Sequence, residues 1–127
     1  MKVRVMSEYE MADLLTGLVD GTVATFEVYI SLMIAFLVAT YLSANRMTRS
    51  QIISVSTLFS VAALLATWAT YSYMNRAVPL AAELTLINPD KTYGAKPVVR
   101  DMIAIIMILG IFASLKFMWD VRHQKLE

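Results

Sequence analysis

The sequence contains no cysteine and only one histidine among its 127 residues. A disulfide framework, a thiolate nucleophile and a thiolate metal site are therefore excluded. His123 has no second histidine or cysteine with which to complete a metal site. Glycine-rich phosphate loops, Ser-His-Asp sets and paired carboxylates are also missing from the sequence. We therefore expect a non-enzymatic protein that needs no cofactor and no metal ion.

Charge is scarce as well. Charged residues make up 17% of the chain, whereas an average soluble domain has about a quarter. The net charge is +1 and no basic run follows the pattern of a phosphate-binding surface, which excludes nucleic acid as a partner. Hydrophobic residues reach 58% and the mean hydropathy is +0.61. This balance predicts a lipid bilayer as the surroundings of the protein.

Three apolar runs are long enough to cross a bilayer, which takes about 20 residues of helix. They cover about residues 22–43, 51–74 and 97–120. The connection between the first two is so short that the second run has to return across the membrane. Pro97 suits the first turn of a helix, where its missing amide costs nothing. The sequence thus predicts an all-α integral membrane protein, a single domain over residues 1–127, with three transmembrane helices in an antiparallel bundle.

The segment before the first run, residues 7–20, predicts a short N-terminal amphipathic helix that lies in the membrane interface. Ser7 and Glu10 have the spacing of a capping box, while Gly17, Asp20 and Gly21 weaken the continuation of the helix into the first run. The alternative is a solvated, frayed tail. The apolar face of the predicted helix consists of Met11, Leu14, Leu15 and Leu18.

Residues 75–96 differ from the apolar runs, because they contain Pro79, Pro89 and charges of both signs. Asn88-Pro89-Asp90 favours a tight turn. The segment is predicted to be an aqueous loop, with room for a short helix over residues 79–86.

Orientation follows from basic residues close to the ends of the runs, where the positive-inside bias acts. They favour an outside N-terminus and a cytoplasmic C-terminus. The order of a YISLMIAFLVATYLS run, an NRMTRSQ turn and a hydroxyl-rich second run resembles small three-span proteins of bacteria. We expect a multi-pass protein of the inner membrane. The basic residues on the proposed cytoplasmic side are Arg46, Arg49, Lys116, Arg122 and Lys125.

Glu27 is the one charged residue inside the first run, and such residues often mark ion paths or proton relays. It lies near the start of the run, where Arg76 and Arg100 flank the same predicted loop. The candidate polar site is therefore Glu27 with Arg76 or Arg100. A structural role for Glu27, as an anchor held by an arginine or by hydroxyls, is the main alternative to permeation.

Small side chains form a stripe on each run, and such stripes let helix backbones approach closely in lipid. On the first run they form a ridge, here called the small-residue ridge, that follows Glu27 at steps of four: Ser31, Ala35, Ala39 and Ser43. The second run has Ser56, Ser60, Ala63 and Thr67, and the third has Gly110 and Ser114. The stripes predict self-association, with one shared seam inside a single subunit as the alternative.

Aromatic residues toward the ends of the runs, Tyr29 and Tyr41 among them, predict anchors at the headgroup level. Taken together, the sequence predicts a homo-oligomeric structural or accessory membrane protein. One alternative is an ion- or proton-conducting channel lined by Glu27 and the hydroxyls of the second run. Another is a subunit whose small-residue stripes bind a different membrane protein.

Overall fold

The computed structural model describes residues 7–91, 93 and 95–124. Helix α1 covers Glu8–Ser43, α2 covers Arg49–Ile87 and α3 covers Pro97–Gln124. A short 3-10 turn, Ala44–Arg46, joins α1 to α2. Each of the three α-helices is long and apolar enough to cross a membrane. The predictions of an all-helical chain and three candidate spans are confirmed, while Lys125, used to predict orientation, lies outside the described residues.

Two capping boxes fix where α1 and α2 begin. The Ser7 hydroxyl accepts the Glu10 amide at 3.2 Å, and the Glu10 carboxylate accepts the Ser7 amide in return. Thr48 and Gln51 repeat the arrangement at the start of α2, with distances of 3.2 and 2.9 Å. Each box pairs amides that a helix start would otherwise leave without partners.

Both long helices extend further than the sequence predicts. The segment 7–20 does not form a separate helix, because α1 continues through Gly17 and Gly21 without a break. The prediction that the second helix ends before residue 75 is wrong, since α2 continues through Pro79 to Ile87. The short helix allowed for residues 79–86 is part of α2 rather than separate. The placement of the N-terminal segment in the membrane interface stays a prediction.

A second hydrophobic core explains these extensions. Ala77, Ala81 and Leu84 of α2 pack with Met11 and Leu15 of α1. A proline inside a helix costs about 3 kcal/mol and each glycine about 1 kcal/mol relative to alanine. Burying apolar side chains on both helices offsets these costs, and this pairing is not visible in the local pattern. Gly21 also permits close approach, because a Cβ there would lie 2.8 Å from the Tyr73 ring.

The main core lies between all three helices. Contacts between α1 and α2 pair Phe36 with Phe59, whose rings stack at 4.0 Å, and Thr25 with Thr70, whose hydroxyls are 2.8 Å apart. The chain therefore reverses direction at the turn between α1 and α2. Helix α3 adds Met107, Ile111 and Met118 to the same core.

We predict that Leu84→Ala opens the second core and leaves the main core intact. Leu84 is fully buried, and such a truncation costs about 2–5 kcal/mol. Hydrogen exchange should show faster exchange over residues 8–20 and 75–87, with protection retained over residues 22–43. Leu86, which is 83% exposed, provides the control Leu86→Ala. Equal effects of the two substitutions would contradict the packing described here.

Candidate functional site

A buried hydrogen bond fixes the rotation of α1 within the molecule. The Tyr29 hydroxyl donates to the main-chain carbonyl of Met107 on α3, at 2.5 Å. Tyr29 is 3% exposed and Met107 is fully buried. The bond is made among apolar side chains, where an unpaired hydroxyl would be costly. Tyr29 is therefore a core residue, and the prediction that it anchors the chain at the headgroup level is wrong.

Gly110 makes this hydrogen bond possible. In a helix, the side chain of a residue lies close to the main-chain carbonyl of the residue three positions earlier. Gly110 comes three residues after Met107. At Gly110 a Cβ would collide with the Tyr29 hydroxyl and would lie 2.9 Å from Cε of Met33. The absence of a side chain therefore lets Tyr29 reach the Met107 carbonyl.

With Tyr29 turned inward, Glu27 faces outward. Successive residues turn by about 100° around a helix, so two residues place Glu27 about 200° from Tyr29. Glu27 is exposed and makes no hydrogen bond or ion pair with any residue in the described ranges. It borders an open groove of about 420 Å³ that is lined by α1 residues alone, Ser31 and Ala35 among them.

The two arginines of the predicted polar site do not reach Glu27. Arg100 donates to the Asn75 side chain at 2.8 Å and to Asp101 at 2.9 Å, and its guanidinium lies 5.3 Å from the centre of the Tyr71 ring. Arg76 is exposed and has no hydrogen bond or ion pair within the described part of the chain. The structure thus joins Arg100 to α2 and leaves Glu27 on a separate face.

The small-residue stripes of α2 and α3 lie within or at the edge of the core. Ala63, Thr67 and Ser114 are buried. The Thr67 hydroxyl donates to the Ala63 carbonyl at 2.8 Å. The remaining members, Ser56, Ser60 and Gly110, are half-buried.

The small-residue ridge of α1 is arranged differently. Ser31, Ala35, Ala39 and Ser43 are all exposed. The three stripes therefore do not meet in one seam inside the subunit. Two serve contacts within the subunit, while Glu27, Ser31 and Ala35 remain on the outer face of α1. Ala39 and Ser43, although exposed, line a cavity shared with α2.

Comparison with known proteins adds no assignment to this face. The chain matches no family model, no curated protein and no solved structure. Within residues 7–91, 93 and 95–124 there is also no group of three histidine, aspartate or glutamate residues that could hold a metal ion. The candidate site is thus a helix face with one carboxylate rather than a pocket of convergent polar groups.

We predict opposite effects for two glycine substitutions. Gly110→Ala should lower the free energy of unfolding by about 1–3 kcal/mol, because the added methyl overpacks the Tyr29 contact. Gly17→Ala should raise it by about 1 kcal/mol, because a Cβ there meets nothing within 4 Å and alanine favours helix. Thermal and denaturant unfolding in detergent measures both changes.

A double substitution separates overpacking from a general loss of helix packing. Tyr29→Phe removes the hydroxyl that the new methyl would meet. Gly110→Ala should therefore cost less in the Tyr29→Phe protein than in the wild type. Equal costs in the two proteins would contradict the role given to this hydrogen bond.

Proposed function

We propose that the protein is a multi-pass membrane protein whose three helices span the bilayer as an antiparallel bundle. In this proposal it self-associates through the outer face of α1 and acts as a structural or accessory component. We place it in a bacterial inner membrane, with the N-terminus outside and the C-terminus cytoplasmic. The single observation that carries self-association is the first part of the small-residue ridge, Ser31 and Ala35, which is exposed and borders a groove that α1 residues alone line among the described residues.

The ridge suits a helix–helix contact in lipid. Lipid tails are as apolar as leucine side chains, so close packing between backbones supplies much of the association energy. Ser31, Ala35 and Ala39 follow one another at four-residue steps and are exposed. A second α1 helix can approach this surface more closely than the bulky surface formed by Ile34 and Val38.

The depth of Glu27 supports the same face. Between Asp20 and Arg46, Glu27 is the one charged residue of the sequence. Glu27 lies seven residues after Asp20, or about 10 Å along the axis at about 1.5 Å per residue. A charged group at the bilayer centre costs at least about 2.5–3.5 kcal/mol. Although Glu27 is off-centre, contact with a second copy or with water is more favourable for it than contact with acyl chains.

We predict that Ala35→Leu weakens self-association about tenfold, in line with helix contacts of about 1–2 kcal/mol in lipid. Ala35 is exposed, so the larger side chain leaves the subunit folded. Ala113 on α3 is also exposed and provides the matched control Ala113→Leu. Light scattering of the detergent-solubilised proteins at several concentrations measures the association. An unchanged oligomer with Ala35→Leu would exclude this face.

Ion or proton conduction is a second candidate function, favoured by the position of Glu27 on the proposed association face. In a closed ring of copies, this face would bring several carboxylates toward the symmetry axis, as in acidic cation pathways. The Thr67 and Thr70 hydroxyls of the second run are buried inside the subunit and not on the face that carries Glu27. Thr67 and Thr70 donate to carbonyls of their own helix inside the subunit, so Glu27 would carry this function without these two hydroxyls.

Flux into liposomes tests conduction. Glu27→Gln should lower proton or cation flux at least tenfold, because it removes the charge and keeps the size of the side chain. Glu83 is exposed on the far part of α2, and Glu83→Gln serves as the control. A wild-type protein without flux, or equal flux in wild type and Glu27→Gln, would exclude the channel and leave the association proposal standing.

A further inference from the structure

Thr40 differs from the other buried threonines of the helices, Thr22, Thr67 and Thr70. The hydroxyls of Thr16, Thr22, Thr25, Thr67, Thr70 and Thr85 each donate to a carbonyl one turn earlier in their own helix. Thr40 is 1% exposed, and its hydroxyl oxygen has no hydrogen-bond partner in the described part of the chain. A buried hydroxyl without a partner is unfavourable, so this position needs a physical explanation.

Thr40 lines a cavity of about 510 Å³ at the end of the molecule where α1 turns into α2. This volume lies within the range of about 300–1,000 Å³ that is usual for small-molecule sites. Four further polar residues line it, namely Ser43, Ser50, Gln51 and Ser54. Val55 and Met118 supply part of its apolar wall. The cavity therefore combines hydrogen-bonding groups with apolar surface.

The polar groups of the cavity are uncharged. None of the described residues that line it is an acid, a lysine, an arginine or a histidine. Arg49, although adjacent to Ser50 in sequence, lines a different groove together with Ile52 and Arg122. A phosphate is usually bound by arginine or lysine. The lining favours a neutral group with acceptor oxygens.

The donors match that chemistry. Serine and threonine hydroxyls can donate, and Gln51 uses its amide oxygen to accept the Thr48 amide at 2.9 Å, which leaves its amide hydrogens available. Ester carbonyls are neutral acceptors. In the proposed membrane position, on which this inference rests, the cavity lies where the apolar run of α1 ends, the depth at which lipid esters are found.

We propose that this cavity binds the glyceryl ester region of a membrane lipid, and that the Thr40 side chain turns so that its hydroxyl, buried in the isolated chain, donates to an ester carbonyl. Diacylglycerols and diacyl phospholipids share this region. The acyl chains would leave the cavity along the apolar outer surface of the helices. The bound ester supplies the partner that the Thr40 hydroxyl lacks.

Native mass spectrometry of the detergent-solubilised protein tests the proposal with three probes. They are dioleoylglycerol, dioleoylphosphatidylglycerol and the dioleyl ether of glycerol, which has no ester carbonyls. Thr40→Val keeps the shape of the side chain and removes the hydroxyl. It should weaken binding of dioleoylglycerol about three- to tenfold, the range of one neutral hydrogen bond. The ether should bind the wild type as weakly as the ester binds Thr40→Val.

Two controls keep the outcome specific. Thr22→Val removes a hydroxyl from the other end of α1 and should leave lipid binding unchanged. Thr40→Val without lipid should unfold at no lower temperature than the wild type, since the hydroxyl it loses has no partner. If Thr40→Val binds the ester as well as the wild type does, or if the ether binds as well as the ester, the proposal is wrong.

Dioleoylphosphatidylglycerol tests whether the ester is recognised in a phospholipid as well as in a diacylglycerol. Equal affinity for dioleoylglycerol and dioleoylphosphatidylglycerol supports recognition of the shared ester region, whereas binding that requires the phosphate would overturn the neutral site. Ala35 does not line the cavity, so Ala35→Leu should bind the lipid normally. Loss of lipid binding and loss of self-association can therefore be told apart. A protein that does not remain with the membrane after alkaline extraction would contradict the membrane proposal itself.

Discussion

The hydrogen bond from Tyr29 to the Met107 carbonyl is the constraint on which the rest of the arrangement depends. Hydrocarbon contacts specify the rotation of a helix about its axis less sharply than a directional hydrogen bond does. A hydroxyl that reaches one particular carbonyl past Gly110 fixes this rotation. Once Tyr29 is fixed inward, Phe36 and Thr40 follow on the same face, and Glu27, Ser31 and Ala35 have to face outward.

The long pairing of α1 with α2 has a second consequence. The helices contain 36 and 39 residues, and at about 1.5 Å per residue each is longer than the hydrocarbon thickness of about 30 Å. The main core includes all three helices, whereas the second core joins the first part of α1 to the last part of α2. The Glu8 carboxylate accepts a hydrogen bond from Asn88 at the far end. The second core thus extends the α1–α2 pair beyond the main core, with Ala95 among its members and Val99 packed against it.

The sequence predicts the helical class, the three apolar runs, the Ser7 capping box and the start of α3 at Pro97, because each depends on local pattern. It misses the continuation of α2 through Pro79, since the compensation comes from Met11 and Leu15, more than sixty residues away in the chain. The second capping box was visible as Thr48-Arg49-Ser50-Gln51. The role of Tyr29 has only a weak signal, its seven-residue spacing from Thr22 and Phe36. Which stripe stays exposed cannot be predicted from composition, because it depends on how α1 is rotated.

Cross-linking in native membranes tests the association face most directly. The chain has no cysteine, so a single introduced cysteine reports on one position only. With Ala35→Cys, oxidation should join two copies of the protein, because the small-residue ridge brings the two residues together across the contact. Ala113→Cys, exposed on α3, should stay monomeric under the same conditions. Cross-linking through residue 113 but not through residue 35, or equal cross-linking at both, would contradict an association through the outer face of α1.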